Sequence, residues 1–92
     1  MNYRIFETEG FTKDIDTDFE GHQKKILKKL RYYVYPQLKE NPSFGPNIKK
    51  LRDFTPHTWR YRIGNYRFFY QIDEKEKTVF MIVAEHRKQS YR

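Results

Sequence analysis

The chain has 92 residues, a length that corresponds to a single domain over residues 1–92. It contains no cysteine, which excludes disulfides and thiolate metal sites, and its three histidines lack the spacing of a metal-binding motif, so no metal or other cofactor is expected. The formal charge of +7 favours an anionic partner, such as nucleic acid, an acidic membrane surface or an acidic protein. No signal peptide or membrane-spanning pattern is evident, which predicts a cytoplasmic protein without a membrane partner.

The first part of the chain has the pattern of a short strand followed by a helix. The segment NYRIF is typical of a strand. Large side chains then recur at the three- and four-residue steps of a helix, at Phe11, Ile15, Phe19, His22 and Ile26. Thr12 is a candidate N-cap for this helix, and Gly21 is expected to divide it from a second one.

The second helix is predicted to bury one apolar stripe and to expose a lysine-rich side. The stripe comprises Ile26, Leu27, Leu30, Tyr33 and Val34. Pro36 cannot continue the hydrogen-bond ladder, so the helix is expected to kink or end near residues 33–35. The lysines form an ordinary solvated side or add a diffuse attraction for a polyanion. The segment NPSFGPN that follows is expected to be a loop.

The second half of the chain changes from the helical period to the alternation of strands. WRYRI and YRFFYQID alternate on either side of Gly64-Asn65, which predicts a hairpin. After the polar turn DEKEK, the run TVFMIVAEH lacks alternation and is expected to be a central strand covered on both faces. The predicted fold is therefore α+β. An N-terminal strand and a helix pair precede a three-stranded antiparallel meander, and the helices pack on one face of the sheet.

Three arginines of this hairpin are predicted to share the face of the sheet that is opposite the helices. Arg60 and Arg62 alternate with apolar residues on one strand, and Arg67 belongs to the polar set of the next. Neighbouring guanidinium groups repel one another, and a phosphate fits their fork geometry, so an anion site is one interpretation. An ordinary solvated face is the other. Tyr66, Phe69 and Tyr70 are expected in the core rather than on a platform for stacking bases.

His86 follows the last apolar run directly and has Arg87 and Tyr91 nearby in the sequence. RNA can be cleaved without a metal when its own 2′-OH attacks the adjacent phosphate. That reaction needs a base, an acid and cations around the phosphorane. Histidine is the side chain whose unperturbed pKa lies near neutrality, so His86 is a candidate acid or base. A structural role for a lone histidine is the alternative.

These segments together resemble the RelE branch of the RelE/ParE toxin superfamily. The resemblance rests on WRYRIGNYRFFYQID, the following charged turn and apolar strand, and HRKQSY. It covers residues 47–92 well, including KKLRDF, and the earlier strand and helix pair in order only. It implies a RelE-like fold and the toxin half of a type II toxin–antitoxin module. The implied activity is a ribosome-dependent, metal-independent endoribonuclease that cleaves mRNA.

The resemblance also implies roles for individual residues. Arg67 would stabilise the transition-state phosphate, Arg87 would hold the phosphate or assist the leaving oxygen, and Tyr91 would orient the 2′-OH or stack on the mRNA. RNA binding would fall to Arg60, Arg62 and Lys88. Some family members carry lysine where this chain has Arg60 and Arg62, and arginine stays protonated, so proton transfer falls more naturally to His86.

The implied partners are a cognate antitoxin, the ribosome and mRNA, with a toxin–antitoxin hetero-oligomer as the expected assembly. Two alternatives remain at this point. The same fold supports ParE-type toxins, which inhibit DNA gyrase and are not nucleases, because a fold does not determine a function. A catalytically inactive module that only binds its antitoxin is the other.

Overall fold

The computed structural model describes residues 2–19 and 21–86, which form two helical regions and a five-stranded mixed sheet. The elements in chain order are β1 (Arg4–Glu7), α1 (Glu9–Asp18), α2 (Gln23–Lys29), a π-helical segment (Leu30–Val34), α3 (Tyr35–Glu40), β2 (Ile48–Lys50), β3 (Trp59–Ile63), β4 (Tyr66–Asp73) and β5 (Thr78–His86). The sheet order is β1-β5-β4-β3-β2, with β1 parallel to β5 and the other pairs antiparallel. The predicted α+β fold is confirmed, and β2 is an additional strand that the sequence pattern does not predict.

Helix α1 begins one turn earlier than predicted. Its N-cap is Thr8, whose side-chain oxygen accepts a hydrogen bond from the Phe11 amide at 3.3 Å and donates to the Met81 carbonyl at 2.7 Å. The assignment of Thr12 as the cap is wrong, since its hydroxyl donates to the Glu9 carbonyl within the helix. Gly21 has a φ of 84°, in the left-handed region that favours glycine, and separates α1 from α2 as predicted.

Residues 23–40 form one continuous helical stretch that passes through Pro36. The π-helical segment precedes the proline, and the Tyr35 amide donates to the Leu30 carbonyl five residues back. A wider turn makes room for a ring that lacks an N–H and would collide with a carbonyl of the preceding turn. The buried stripe is Ile26, Leu30, Val34 and Leu38. Leu27 and Tyr33 are exposed, so their predicted place in the stripe is wrong.

The core lies between the helices and one face of the sheet. That face contributes large rings, including Tyr61, Phe68 and Tyr70, each at most 1% exposed. The hydroxyl groups of the two tyrosines are hydrogen-bonded: Tyr70 donates to the Pro42 carbonyl at 2.7 Å, and Tyr61 donates to Gln37 Oε1 at 2.8 Å. Burial raises the pKa of Tyr70 well above its usual range. These two bonds tie α3 and the segment that follows it to the sheet.

Strand β5 lies between β1 and β4, which confirms its predicted central position. The expected cover on both faces is wrong, since the helices cover only one face. The strand also contains a β-bulge: Phe69 pairs with Val83 and Tyr70 with Met81, which leaves Ile82 without an opposite residue. Asp14 of α1 braces the bulge, because its carboxylate accepts a hydrogen bond from the Ala84 amide at 3.0 Å.

Candidate functional site

The face of the sheet opposite the helices, here called the open face, carries the three predicted arginines. Strand register pairs Arg62 with Arg67 directly across β3 and β4, while Tyr61 and Phe68 on the same two strands point into the core. The prediction that Arg60, Arg62 and Arg67 share the face away from the helices is therefore confirmed. Their catalytic and RNA-binding roles stay predictions.

A fourth cation lies beside these arginines, on strand β2, which the sequence pattern does not predict. Lys49 on β2 is the cross-strand partner of Arg60, and its side chain is exposed. A hollow of about 540 Å³ lies over β2 and β3, lined by Lys49, Arg60, Arg62 and Asn47 among others. In the sequence, the apolar Ile48 is followed by the polar Lys49, as in a strand with one buried face. A three-residue strand is too short to be recognised from this pattern alone.

The guanidinium groups on the open face are incompletely satisfied by the described part of the chain. The Nε atoms of Arg60 and Arg67 are buried and have no hydrogen-bond acceptor among residues 2–19 and 21–86. A buried donor without an acceptor costs about 1–3 kcal/mol. An anion that drew either guanidinium outward would relieve that cost. The arrangement is thus suited to a phosphate, which accepts several hydrogen bonds at once.

One acidic residue lies beside the arginines. Glu85 on β5 is the cross-strand partner of Arg67, and its Oε1 lies 3.2 Å from Arg67 Nη2. The two side chains are 47% and 32% exposed, so the pair is accessible to solvent and to a ligand. Surface pairs of this kind contribute about 0–1 kcal/mol to stability, and a competing anion can displace the carboxylate.

Phe69 lies between the cationic and the apolar parts of the open face. It pairs with Arg60 on one side and with Val83 on the other, and it is only half-buried. Its predicted place in the core is wrong, whereas that of Tyr66 and Tyr70 is confirmed. A half-exposed ring beside a guanidinium is a surface on which a nucleobase can stack.

His86 lies on the other side of the sheet from the three arginines. It pairs with Tyr66, whose ring centroid is 4.9 Å away, and it stacks on Phe19 at 5.6 Å. The ring of His22 meets it edge-on at 5.1 Å. The structure therefore does not bring His86 together with the arginines. Its proposed partners Arg87, Lys88 and Tyr91 lie outside the described residues.

Neither a metal site nor a membrane-spanning element is found in the described part of the chain. No group of three or more histidine, aspartate or glutamate side chains is placed there to hold a metal ion. No described helix is long and apolar enough to cross a bilayer.

The chain is similar in structure to several toxins of known fold. The RelBE2 toxin–antitoxin complex from Mycobacterium tuberculosis matches with a TM-score of 0.76 and 25% identity, over 95% of this chain and 93% of that chain. The isolated E. coli RelE toxin matches with a TM-score of 0.67 and 23% identity, over 97% and 88% of the two chains. The YoeB dimer from Staphylococcus aureus matches with a TM-score of 0.70 and 16% identity, over 96% and 100%.

No curated protein sequence matches the chain. A family model does: the model for the ParE toxin of type II toxin–antitoxin systems, parDE, matches residues 8–91. This match extends over nearly the whole sequence, including the helix pair, the arginine hairpin and the terminal segment that the structure does not describe. The chain thus belongs to the ParE toxin family of type II toxin–antitoxin systems, within the RelE/ParE toxin superfamily.

Proposed function

We propose that this toxin is a ribosome-dependent endoribonuclease that cleaves mRNA without a metal, by attack of the 2′-OH on the adjacent phosphate. The observation that carries the proposal is the placement of Arg60, Arg62 and Arg67 on one open face, which none of the described helices covers. Three guanidinium groups on one face concentrate positive charge there. Together they match the charge of an RNA backbone.

Different roles in binding and catalysis are proposed for the guanidinium groups according to their positions on the sheet. Arg67 lies in the middle of the sheet, between Arg62 and Glu85, and is proposed to hold the phosphate on which charge builds in the transition state. Arg60 and Arg62, on the outer side, are proposed to bind the neighbouring backbone. Lys49 extends that track by one cation.

The terminal segment completes the proposed site. Arg87 is proposed to hold the phosphate or assist the leaving oxygen, Lys88 to bind RNA, and Tyr91 to orient the 2′-OH or stack on the mRNA. His86 is the proposed proton-transfer residue by its chemistry.

The proposed partners follow from the module. The matching RelE structures from M. tuberculosis and from Pyrococcus horikoshii are complexes with an antitoxin, and we propose an antitoxin partner and a toxin–antitoxin hetero-oligomer here. A basic toxin of charge +7 suits an acidic segment that folds on binding and covers the open face. The ribosome and mRNA are the proposed targets, and the cytoplasm is the proposed compartment.

The test is a paired assay of the purified toxin on programmed ribosomes and on DNA gyrase. Cleavage of ribosome-bound mRNA with unimpaired supercoiling is expected. Arg67→Ala should lose roughly 10²-fold or more in cleavage rate, the usual effect of removing a group that stabilises transition-state charge. Arg31→Ala is the matched control, since Arg31 is an exposed arginine of the helical region and its loss lowers the net charge equally. Cleavage by Arg67→Ala at the rate of this control would contradict the proposal.

Gyrase inhibition is the second candidate, because the matching family model is that of the ParE toxin. The paired assay separates the two functions directly. Inhibition of supercoiling with intact mRNA would establish the gyrase function and overturn the nuclease. Antitoxin binding with neither effect would leave an inactive module.

A further inference from the structure

Glu85 is the carboxylate that the structure places among the arginines of the open face. It lies directly across from Arg67, with 3.2 Å between Glu85 Oε1 and Arg67 Nη2. About half of its side chain is exposed, so a substrate can reach its free oxygen. A phosphate held by the remaining donors of the Arg67 guanidinium would therefore lie next to this carboxylate.

We propose that Glu85 is the general base of the cleavage reaction; this inference rests on the nuclease function proposed above. The Glu85 carboxylate removes the proton of the 2′-OH, and the 2′-oxygen forms a bond to phosphorus. The bond from phosphorus to the 5′-oxygen breaks, and that oxygen leaves with the electron pair and takes up a proton from water or from His86, the proton-transfer residue proposed above. The products are a 2′,3′-cyclic phosphate and a 5′-hydroxyl end. Glu85 then returns its proton to solvent.

The other groups on the described open face are poorly suited to this step. Arginine remains protonated and cannot accept the proton. Asp73 is on the same side of β4 but six residues from Arg67, which is about 20 Å along a strand. Its Oδ1 already accepts hydrogen bonds from the Lys75 and Glu76 amides. His86 faces the helices and packs on Phe19 and Tyr66. Within residues 2–19 and 21–86, Glu85 alone combines an acceptor oxygen, access and contact with the phosphate-binding arginine.

A rival role for Glu85 is that of a charge cover that neutralises Arg67 until RNA displaces it. The two roles predict effects of opposite sign. Removal of a general base lowers the rate of the chemical step, typically by 10²–10⁴-fold. Removal of a competing anion frees Arg67 for phosphate and raises RNA affinity and cleavage. The isosteric variant Glu85→Gln distinguishes them, since it keeps the size of the side chain and removes its charge.

The experiment measures single-turnover cleavage on programmed ribosomes, with the toxin in excess. Glu85→Gln is expected to lose at least 10²-fold in rate while it binds ribosomes at least as tightly as the parental toxin. Glu85→Ala is expected to recover part of its rate in added formate, which supplies a carboxylate to the vacated space, and Arg67→Ala is not. Glu40→Gln is the control, because Glu40 is an exposed acid at the end of α3. Thermal unfolding and antitoxin binding report whether each variant is folded.

The outcomes separate this inference from the proposed function. If the parental toxin cleaves mRNA and Glu85→Gln cleaves at the same rate or faster, the base assignment is overturned and the nuclease stands. Absence of formate rescue in a folded, inactive Glu85→Ala also overturns it, in favour of a positioning role through Arg67. If the parental toxin leaves mRNA intact, the nuclease function is overturned and the inference falls with it.

Discussion

The pairing of Arg62 with Arg67 makes the open face a site where function and stability conflict. Two guanidinium groups lie directly across from each other on β3 and β4. Opposed Cα atoms are about 4.5–5.5 Å apart, and side chains that diverge keep their charges about 7 Å apart. At that separation, in a water-like dielectric, the repulsion is about 0.6 kcal/mol. We therefore expect Arg62→Gln to stabilise the folded toxin and to weaken its binding of RNA.

The expected gain is about 0.5 kcal/mol at low salt, because Glu85 already offsets part of the charge on Arg67. In a domain of this size that corresponds to a rise of about 2–4 °C in the melting temperature. The gain should disappear in 1 M salt, where the Debye length is about 3 Å. Arg52→Gln is the matched control, since Arg52 is exposed in the turn after β2 and its loss lowers the net charge by the same amount.

Thermal unfolding at low and at high salt, with and without a short single-stranded RNA, measures both effects. The RNA should raise the melting temperature of the parental toxin more than that of Arg62→Gln, because at a given concentration a ligand that binds the folded state more tightly stabilises it more. A melting temperature that falls in Arg62→Gln at low salt, or that rises equally in 1 M salt, would show that the arginines do not repel each other as the register implies.

Three further predictions concern single contacts. Tyr70→Phe should cost about 1 kcal/mol, from the lost bond to the Pro42 carbonyl, and should weaken the loss of stability above about pH 10. That sign follows because burial raises the pKa of Tyr70, so the unfolded chain releases this proton first and gains stability relative to the fold as the pH rises. Urea titrations across pH 8–11 measure both. Asp14→Ala should lower the free energy of unfolding by about 1 kcal/mol, because the Ala84 amide loses its acceptor. Asp14→Asn keeps an acceptor oxygen and should lose clearly less in the same urea titrations. Equal losses in the two variants would contradict the role of Asp14 as a brace. His86→Phe should keep the fold, since a ring still stacks on Phe19. Its rate of mRNA cleavage should fall roughly 10²-fold, because the proposed proton-transfer group is lost. Cleavage at the parental rate would assign His86 to packing alone.

The hairpin and the direction of its side chains were predictable because apolar residues alternate with other residues along both strands. Trp59, Tyr61 and Ile63 alternate with two arginines, and a two-residue turn fixes the register with β4. Gly64, with a φ of 59°, adopts the backbone conformation that a tight hairpin turn requires. Side-chain direction on β3 and β4 then follows from a period of two. Since Arg60, Arg62 and Arg67 all lie within this hairpin, the sequence was sufficient to predict that they share one face.

The helical region was less predictable because a π-helical segment interrupts its period. An α-helix would place Tyr33, two turns after Ile26, on the same side as Ile26, yet Tyr33 is exposed. The segment at Leu30–Val34 widens the helix and brings the buried positions to steps of four, up to Leu38. No residue pattern announces this shift in advance. The proline that accompanies it predicts a kink or an end near residues 33–35, with QLKEN adding one more turn, and the chain stays helical to Glu40.

The β-bulge decides which residue at the end of β5 faces the arginines. Uninterrupted alternation from Val79 and Met81, which point into the core, would place Glu85 on the helix side and His86 on the open face. The extra residue at Ile82 reverses this order, because each inserted residue exchanges the two faces of a strand beyond it. Sequence alternation alone therefore favours a histidine in the site, and the structure provides a carboxylate. Asp14 braces this bulge from the opposite side of the sheet through the Ala84 amide, so we expect the loss of that hydrogen bond to loosen the placement of Glu85 on the open face.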